Sequence, residues 1–461
     1  MQQGRRRKTM SHLLGAMLIV GMWLQAGARL PEGPAGRLMA AYLEAFNAPG
    51  EEAIKQFFAK HVSEEERARV PIETRLARFR EMRERLGRLE LVKTIASSDS
   101  SITAHLRSSN GPNLEFTLEL ASTSPPMLRG IRVEDREEGE SDGVEPKAND
   151  EEWVAAVGTY LDQAAARDEF SGAVLLARGD KVVLEKAYGL ADKTSKAPNR
   201  ADTRFNLGSI NKIFTNIAIH QLAAQGKLSL DDKISRFLPD YPNRDAAAKV
   251  TVKHLLSMTS GIGDFFGERY EQAQKEKVKS ISAYLPLFAD KPLEFEPGTR
   301  SRYSNGGYIV LGAIIEKASG MDYYSYVKKN IYLPAGMSQS DWYEKDHLPP
   351  NMAIGYKYQD RPMVRPGDER RPNYESLPGK GSSAGGGYST LRDLLSFVQA
   401  LKQQKVFTPD FHADGLGIAG GAPGMNAILD SGRDYVIVVL ANYDPPTAEK
   451  VARQIRGWRP R

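Results

Sequence analysis

A polar, acidic segment at 136–150 divides this sequence into two parts with separate apolar patterns. The segment is rich in Glu, Asp, Gly, Ser and Pro and has almost no large apolar side chain. Such a composition cannot bury enough apolar surface to offset the entropy of folding, so a linker is expected. The 461 residues are enough for two cores. We therefore predict one domain at 35–135 and a second at 151–461.

The first domain has a helix-then-strand order. Its helical apolar spacings are at 38–46, 51–58 and 72–86, and its short alternating runs are at 91–95, 102–106, 114–120 and 128–133. Helices followed by antiparallel strands are typical of an α+β domain. The pattern resembles the cone-shaped fold of the nuclear-transport-factor-2-like and cystatin-like superfamily. No catalytic set is visible here, and a binding or spacer role is the prediction.

The second domain opens with a helix and a hairpin and closes with strands and a helix. The helix is predicted at 153–165, and the hairpin pairs 172–177 with 182–188 through Arg178-Gly179-Asp180. A largely helical middle follows. Strands at 427–429 and 435–440 and a helix at 447–457 end the chain.

Ser209-Ile210-Asn211-Lys212 is the first motif with chemical meaning, since residues three apart share a helix face. A serine hydroxyl is a poor nucleophile unless a base takes its proton. A lysine can be that base only if burial or nearby positive charge lowers its pKa. The apolar helical pattern after Ser209 would place it in a first turn, where outward amide groups stabilise negative charge. A plain helix cap is the alternative interpretation.

Two other serines match nucleophile patterns. Ser325-Tyr326-Val327-Lys328 repeats the spacing inside a helical pattern without a start signal, which favours ordinary surface residues. Gly381-Ser382-Ser383-Ala384-Gly385 matches the G-x-S-x-G elbow, but a polar, Pro- and Gly-rich stretch precedes it and more glycine follows. The elbow needs a strand before it and a helix after it, so we interpret this stretch as a loop near the site.

Several further stretches follow Ser209 in a meaningful order. They are 251–261, Tyr303-Ser304-Asn305, 386–390 and 417–424. Together with the Ser209 motif they resemble the class C β-lactamase and penicillin-binding-protein-like family of serine hydrolases, over roughly 155–445. The resemblance implies an α+β fold in which helices flank an antiparallel sheet, here preceded by the small cone-shaped domain.

The same resemblance implies the catalytic roles. Ser209 would be the nucleophile, Lys212 its proton partner and Tyr303 the second acid/base group, with the Lys212 ammonium favouring the Tyr303 phenolate. Asn305 would orient the substrate or Lys212. Gly420 and Gly421 would give backbone access, with the Gly421 and Ser209 N–H groups forming an oxyanion hole. The expected reaction is cleavage of an ester or amide, in a β-lactam, a D-peptide or a carboxylic ester, through an acyl-enzyme.

One position departs from the family pattern. In the family, the stretch that corresponds to 417–424 usually carries a Lys or His, then any residue, then Gly, and we call it the third motif. Here it reads Ile418-Ala419-Gly420, with Ile418 at the position of the cation. The change removes a cation that would hold a substrate carboxylate, which puts β-lactam turnover in doubt. A catalytically inactive binding protein of the same fold is therefore the alternative function, although the retained catalytic side chains argue against it.

The N-terminus predicts export. Arg5 to Lys8 precede an uncharged run at 13–24 and then Ala26-Gly27-Ala28, which is typical of a secretory signal peptide at 1–28. We expect a periplasmic or secreted protein without stable membrane insertion after cleavage. An uncleaved anchor is the alternative, although the apolar run is short for a membrane span.

Charge and residue types narrow the partners. Removing 1–28 lowers the formal net charge from +5 to +1, so nucleic acid is not an expected partner. The chain has no cysteine, and no histidine pair has metal-ligand spacing with a carboxylate. We predict a small-molecule or peptide substrate, no metal and no cofactor. The sequence leaves the oligomeric state open.

Overall fold

The computed structural model describes residues 29–63, 67, 71–110, 113–136, 146–358, 369–406 and 415–460. The predicted signal peptide, 1–28, lies outside the described residues, as does most of the predicted linker. The chain divides into two compact units between residues 141 and 142, inside that linker. Among the described residues, no helix combines the length and apolar character needed to cross a membrane.

In its described residues, the first unit packs helices on a four-stranded antiparallel sheet. Its elements are α1 (Pro34–Asn47), α2 (Glu52–His61), α3 (Ile72–Leu86), β1 (Leu89–Ser97), β2 (Ser101–Ser108), β3 (Asn113–Thr123) and β4 (Pro126–Arg136), with strand order β1-β2-β3-β4. Alternate residues of β3 are buried, as expected when one face of a strand packs on helices. Phe116 of β3 lies 5.2 Å from the ring of Tyr42 in α1.

The second unit is organised by a five-stranded antiparallel sheet. Its strands are β5 (Gly172–Arg178), β6 (Lys181–Tyr188), β13 (Leu416–Ala422), β14 (Met425–Ser431) and β15 (Tyr435–Ala441), in the order β13-β14-β15-β5-β6. Short strands lie between them in sequence: β7 (Leu190–Asp192), β8 (Ala197–Pro198), β9 (Phe205–Asn206), β10 (Tyr356–Lys357), β11 (Arg371–Pro372) and β12 (Tyr388–Ser389). The predicted α+β class, with an antiparallel sheet flanked by helices, is confirmed.

Helices cover both faces of this sheet. The α-helices described in this unit are α4 (Asp150–Ala166), α5 (Lys212–Ala224), α6 (Ile234–Phe237), α7 (Arg244–Lys249), α8 (Val252–Leu256), α9 (Glu268–Gln272), α10 (Ile281–Tyr284), α11 (Asn305–Ser319), α12 (Tyr323–Val327), α13 (Leu333–Ala335), α14 (Leu391–Lys402) and α15 (Thr447–Trp458). A 3₁₀ turn, Gly208–Asn211, directly precedes α5.

The apolar run of β5 is continuous because both of its faces are buried. Ala173, Leu175 and Ala177 pack into the large core that contains α5, α11 and α14. Val174 and Leu176 face a second core formed with α4 and α15. Alternate strand residues point to opposite faces, so a strand between two helical layers needs apolar residues throughout.

Candidate active site

Ser209 lies in a tight turn that its neighbours enforce. It is in the 3₁₀ turn Gly208–Asn211, directly before α5, and not in the first turn of the α-helix as predicted. Gly208 has a φ of 51°, in the region that favours glycine. Its N–H donates to Asn206 Oδ1 at 2.9 Å. The turn projects Ser209 into a cavity.

Lys212 is buried because it begins a helix whose surroundings are apolar on almost every side. Ile213, Phe214 and Ile217 of α5 are buried in the large core, and Lys212 itself is 7 % exposed. Burial disfavours the charged form of an amine. It lowers the pKa of Lys212 to about 7, against a smaller opposing effect of the Asp264 carboxylate.

Three oxygen atoms surround the Lys212 amine. Its Nζ lies 3.1 Å from Ser209 Oγ and 2.7 Å from Asn305 Oδ1, and it also donates to the carbonyl oxygen of Ala384. The Asn305 and Ala384 oxygens can only accept hydrogen bonds. A neutral amine has two N–H groups and one lone pair. If the two N–H groups go to these acceptors, the lone pair faces the hydroxyl of Ser209.

Tyr303 and Asn305 are positioned by the start of α11. Between them, Ser304 caps this helix, because its Oγ accepts from Gly307 N at 2.8 Å while it donates to Gly263 O at 3.1 Å. The helix begins at Asn305. The Tyr303 hydroxyl lies 2.5 Å from Ser209 Oγ, so the structure brings Ser209, Lys212, Tyr303 and Asn305 together.

The structure reverses the predicted charge state of Tyr303. Burial around its hydroxyl raises the pKa of Tyr303, the hydrogen bond with Ser209 opposes this, and the charge of Asp264 adds to the rise. Because the pKa of Lys212 falls while that of Tyr303 rises, the resting pair is a neutral phenol beside a readily deprotonated amine. The expected Tyr303 phenolate is not the favoured form, and a Lys212 pKa of about 7 leaves both its ammonium and its neutral amine populated near neutral pH.

Asp264 belongs to the site, and the sequence interpretation missed it. Its Oδ2 accepts from Asn305 Nδ2 at 2.6 Å, which fixes the orientation of the Asn305 amide. The amide oxygen is thereby turned toward Lys212. The available signal was an acid directly after the glycine-containing stretch Gly261-Ile262-Gly263.

The third motif passes directly beside the Ser209 turn. A Cβ on Gly420 would lie 2.0 Å from the carbonyl oxygen of Leu207, and a Cβ on Gly208 would lie 2.8 Å from the Gly421 nitrogen. Only glycine allows such an approach. Asn426 Nδ2 donates to Gly420 O at 3.1 Å and holds this part of β13. The Gly421 nitrogen therefore lies close to the backbone of the turn.

Ile418 is not among the cavity-lining residues. It is half-buried and packs against the large core, whereas Ala419 and Gly421 line the cavity. An apolar side chain at 418 is thus stabilised by packing, and it supplies no charge to the site.

The rival serines are engaged elsewhere. Ser383 is fully buried, and its Oγ donates to Tyr308 O at 2.8 Å. Ser325 is exposed, and Lys328 pairs with Asp341 at 2.6 Å. Ser325 does lie in a capped first turn, because Asp322 accepts from its N–H, so the predicted lack of a start signal was wrong.

The cavity beside Ser209 has a volume of about 500 Å³, and nine aromatic side chains form part of its wall. Its aromatic lining residues are Phe205, Phe265, Phe266, Tyr270, Tyr284, Tyr303, Tyr343, Tyr374 and Tyr388. Loop residues from 265–266, 373–378 and 380–386 contribute to it. An apolar, partly enclosed site of this size suits a small organic substrate.

A group of possible metal ligands, Glu344, Asp346 and His347, lies on the surface of the second unit. The Lys279 ammonium contacts both carboxylates at 2.8 Å. Lys279 therefore already supplies a positive charge to these two carboxylates, and the group forms an ion-pair cluster.

Fold and site together define a serine hydrolase of the β-lactamase type. The chain belongs to the beta-lactamase family, whose family model matches residues 158–457. The match lies within the second unit, so the cone-shaped assignment of the first unit stays a prediction.

Three similar proteins illustrate the range of this family. Penicillin-binding protein 4* of Bacillus subtilis (strain 168) is 33 % identical over 256 residues, 53 % of this chain and 55 % of that protein. Esterase EstB of Burkholderia gladioli is 29 % identical over 317 residues, 60 % of this chain and 80 % of the esterase. A penicillin-binding protein of Bacillus halodurans superposes with a TM-score of 0.56 at 29 % identity, covering 64 % of this chain and 98 % of that one. The chain thus spans only about half the length of the Bacillus subtilis relative.

Proposed function

We propose that this protein hydrolyses a neutral carboxylic ester through an acyl-enzyme on Ser209. The observation that carries the proposal is the Lys212 amine, which is buried, has a lowered pKa and lies 3.1 Å from Ser209 Oγ. An esterase is among the relatives, and the apolar Ile418 at the usual position of a cation disfavours substrates that carry a carboxylate, such as β-lactams. Hydrolysis of a short-chain p-nitrophenyl ester that depends on Ser209 is the test.

Acylation begins with proton transfer from Ser209 to Lys212. The Lys212 lone pair takes the hydroxyl proton while Oγ forms a bond to the ester carbonyl carbon. The N–H groups of Ser209 and Gly421 stabilise the resulting oxyanion, a type of contact worth about 3 to 4 kcal/mol. Asn305 and the Ala384 carbonyl keep the amine in line throughout.

Collapse of the intermediate breaks the bond to the leaving oxygen. Tyr303 gives its phenolic proton to that oxygen, because its hydroxyl is protonated and lies 2.5 Å from Ser209 Oγ. The Lys212 ammonium then returns a proton to the Tyr303 oxygen and restores the phenol, since both groups lie around Ser209 Oγ, at 3.1 Å and 2.5 Å. Water repeats the sequence on the acyl-enzyme: it loses a proton to Lys212 and attacks the carbonyl, Tyr303 protonates the departing Ser209 Oγ, and the Lys212 ammonium restores the phenol.

The pattern of residues 1–28 supports the accompanying proposal of export to the periplasm or medium. An inactive binding protein of the same fold is the weaker alternative. Loss of catalytic function would remove the constraint on the Asp264–Asn305–Lys212–Ser209 contacts, yet all of them are formed.

We expect neutral esters to be better substrates than esters with a nearby carboxylate. Dimethyl succinate should have a kcat/KM about tenfold or more above that of monomethyl succinate, because an unpaired carboxylate loses hydration in an apolar cavity. Steady-state kinetics at one pH measure the ratio. Faster turnover of penicillins than of neutral esters would contradict the account.

Two histidine variants test at which position a cation would act on the substrate carboxylate. From the sequence, we expect Ile418→His to reduce the ratio of kcat/KM for dimethyl succinate to kcat/KM for monomethyl succinate. Because Ala419 lines the cavity and Ile418 packs against the core, Ala419→His should reduce this ratio more than Ile418→His does.

Asp264→Asn should move the acid limb of the pH–rate profile to lower pH. The Asp264 charge raises the pKa of Lys212 against the larger effect of burial, so its removal should lower that pKa further. The substitution keeps an acceptor for Asn305 Nδ2. The profile of kcat/KM from pH 4 to 9 measures the shift.

Glu271→Gln is the matched control for this prediction. Glu271 also lines the cavity, but it pairs with Lys275 at 2.8 Å and is not a partner of Asn305. An equal shift in both variants, or an unchanged limb in Asp264→Asn, would show that Asp264 does not act on Lys212 through this contact.

A further inference from the structure

Two of the most exposed large apolar side chains in the described residues lie in the cavity. The exposed large apolar side chains in the described residues are Ile95, Phe266, Tyr303 and Leu333. Of these four, Phe266 and Tyr303 line the cavity, and they are 51 % and 53 % exposed. Tyr303 has a chemical reason to be there, because its hydroxyl contacts Ser209. Phe266 has no polar atom, so its exposed ring has no role in proton transfer.

The ring of Phe266 rests on a buried aromatic cluster. Its centre lies 4.2 Å from that of Phe265 and 5.2 Å from that of Tyr270, and Phe265 lies 5.0 Å from Tyr284. Phe265, Tyr270 and Tyr284 are at most 5 % exposed. Phe265 and Tyr270 contact the Phe266 ring directly, Tyr284 packs behind Phe265, and the Phe266 side chain stays 51 % exposed. We call Phe265 and Phe266 the aromatic shelf.

The aromatic shelf is tied to the reacting groups. Phe266 N donates to Asp264 Oδ1 at 3.0 Å, and the other oxygen of the same carboxylate holds Asn305. Asn305 in turn contacts Lys212. The shelf, Asn305 and Lys212 are therefore held by consecutive contacts, which keeps the position of the Phe266 ring defined relative to Ser209.

We propose that the aromatic shelf binds a planar aromatic group of the ester substrate and sets the substrate preference of the enzyme. A supported, exposed ring in an apolar cavity offers area for burial and for stacked or edge-to-face contact with a second ring. The proposal rests on ester hydrolysis at Ser209 and specifies its substrate.

Esters with a ring on either side of the scissile bond test the proposal. Methyl phenylacetate carries the ring in the acyl group, phenyl acetate carries it in the leaving group, and methyl acetate has none. Phe266→Ala should lower kcat/KM for at least one ring ester about tenfold more than for methyl acetate, a difference of about 1.4 kcal/mol. Phe266→Trp should retain the preference for ring esters over methyl acetate. The ring ester that loses activity in Phe266→Ala shows whether the acyl group or the leaving group lies on the aromatic shelf.

Leu333→Ala is the matched control. Leu333 is an exposed apolar residue of the same unit, 64 % exposed, that does not line the cavity. Its removal should leave all three esters unchanged. An equal loss for ring esters and methyl acetate in Phe266→Ala, or the same selective loss in Leu333→Ala, would overturn the proposal.

A binding measurement separates this proposal from the one on which it rests. Ser209→Ala protein keeps the shelf, so it should bind 1-naphthyl acetate, and adding Phe266→Ala should weaken binding about tenfold by equilibrium dialysis. Equal binding by both proteins overturns the shelf and leaves ester hydrolysis intact. Ester hydrolysis that survives in Ser209→Ala overturns the proposed function instead.

Discussion

Replacement of Ser209 by alanine should abolish covalent labelling by a fluorophosphonate and lower kcat for p-nitrophenyl acetate by at least about 10³-fold. The reason is that the acyl-enzyme needs an oxygen at this position, and the turn directs Ser209 Oγ toward both Lys212 and Tyr303. Intact-protein mass spectrometry measures the labelling. Thermal unfolding checks that the fold persists.

Two further serines are built-in controls for this result. Ser325→Ala should leave labelling unchanged, because Ser325 is exposed and Lys328 pairs with Asp341. Ser383→Ala should also leave it unchanged, although loss of the hydrogen bond to Tyr308 O should lower the free energy of unfolding by about 1 kcal/mol. Labelling that survives in Ser209→Ala and disappears in Ser383→Ala would mean that the nucleophile was assigned to the wrong motif.

The features that sequence could predict are those encoded within a short stretch of chain. Ser209 and Lys212 are one helical turn apart, so their proximity follows from local geometry. The alternating buried residues of β3 and the continuous apolar run of β5 likewise report directly which strand faces are covered. Tyr303 and Asn305 were found only through a family resemblance, since nothing local links them to Ser209.

The parts that sequence could not predict depend on contacts between distant segments. Asp264 meets Asn305 across 41 residues, and the Ala384 carbonyl meets Lys212 across 172. Every residue carries a main-chain carbonyl, so the residue type at 384 does not indicate that its carbonyl oxygen contacts Lys212. The direction of the Tyr303 pKa was missed for the same reason, because it depends on how much water the folded site excludes and on the charge of Asp264.

Replacement of Lys212 should separate its role as a base from its role as a cation. Lys212→Met removes both the base and the charge while keeping an apolar chain of similar length for the buried site. Lys212→Arg keeps a charge that does not titrate in this pH range and so cannot accept the proton. Since general-base catalysis contributes about 10²- to 10⁴-fold, both variants should lose that much in kcat/KM for a neutral ester.

The wild-type pH profile gives the same assignment a second, independent test. Lys212 must be deprotonated to accept the Ser209 proton, and its pKa is lowered to about 7. Activity should therefore rise as pH increases through about 7 and stay level until the phenol of Tyr303, whose pKa is raised, begins to ionise. Lys328→Met, in the matching but exposed motif, should keep both the rate and this limb. Full activity in Lys212→Arg, or an acid limb that persists in Lys212→Met, would show that the titrating base is another group and that Lys212 acts on the oxyanion as a charge.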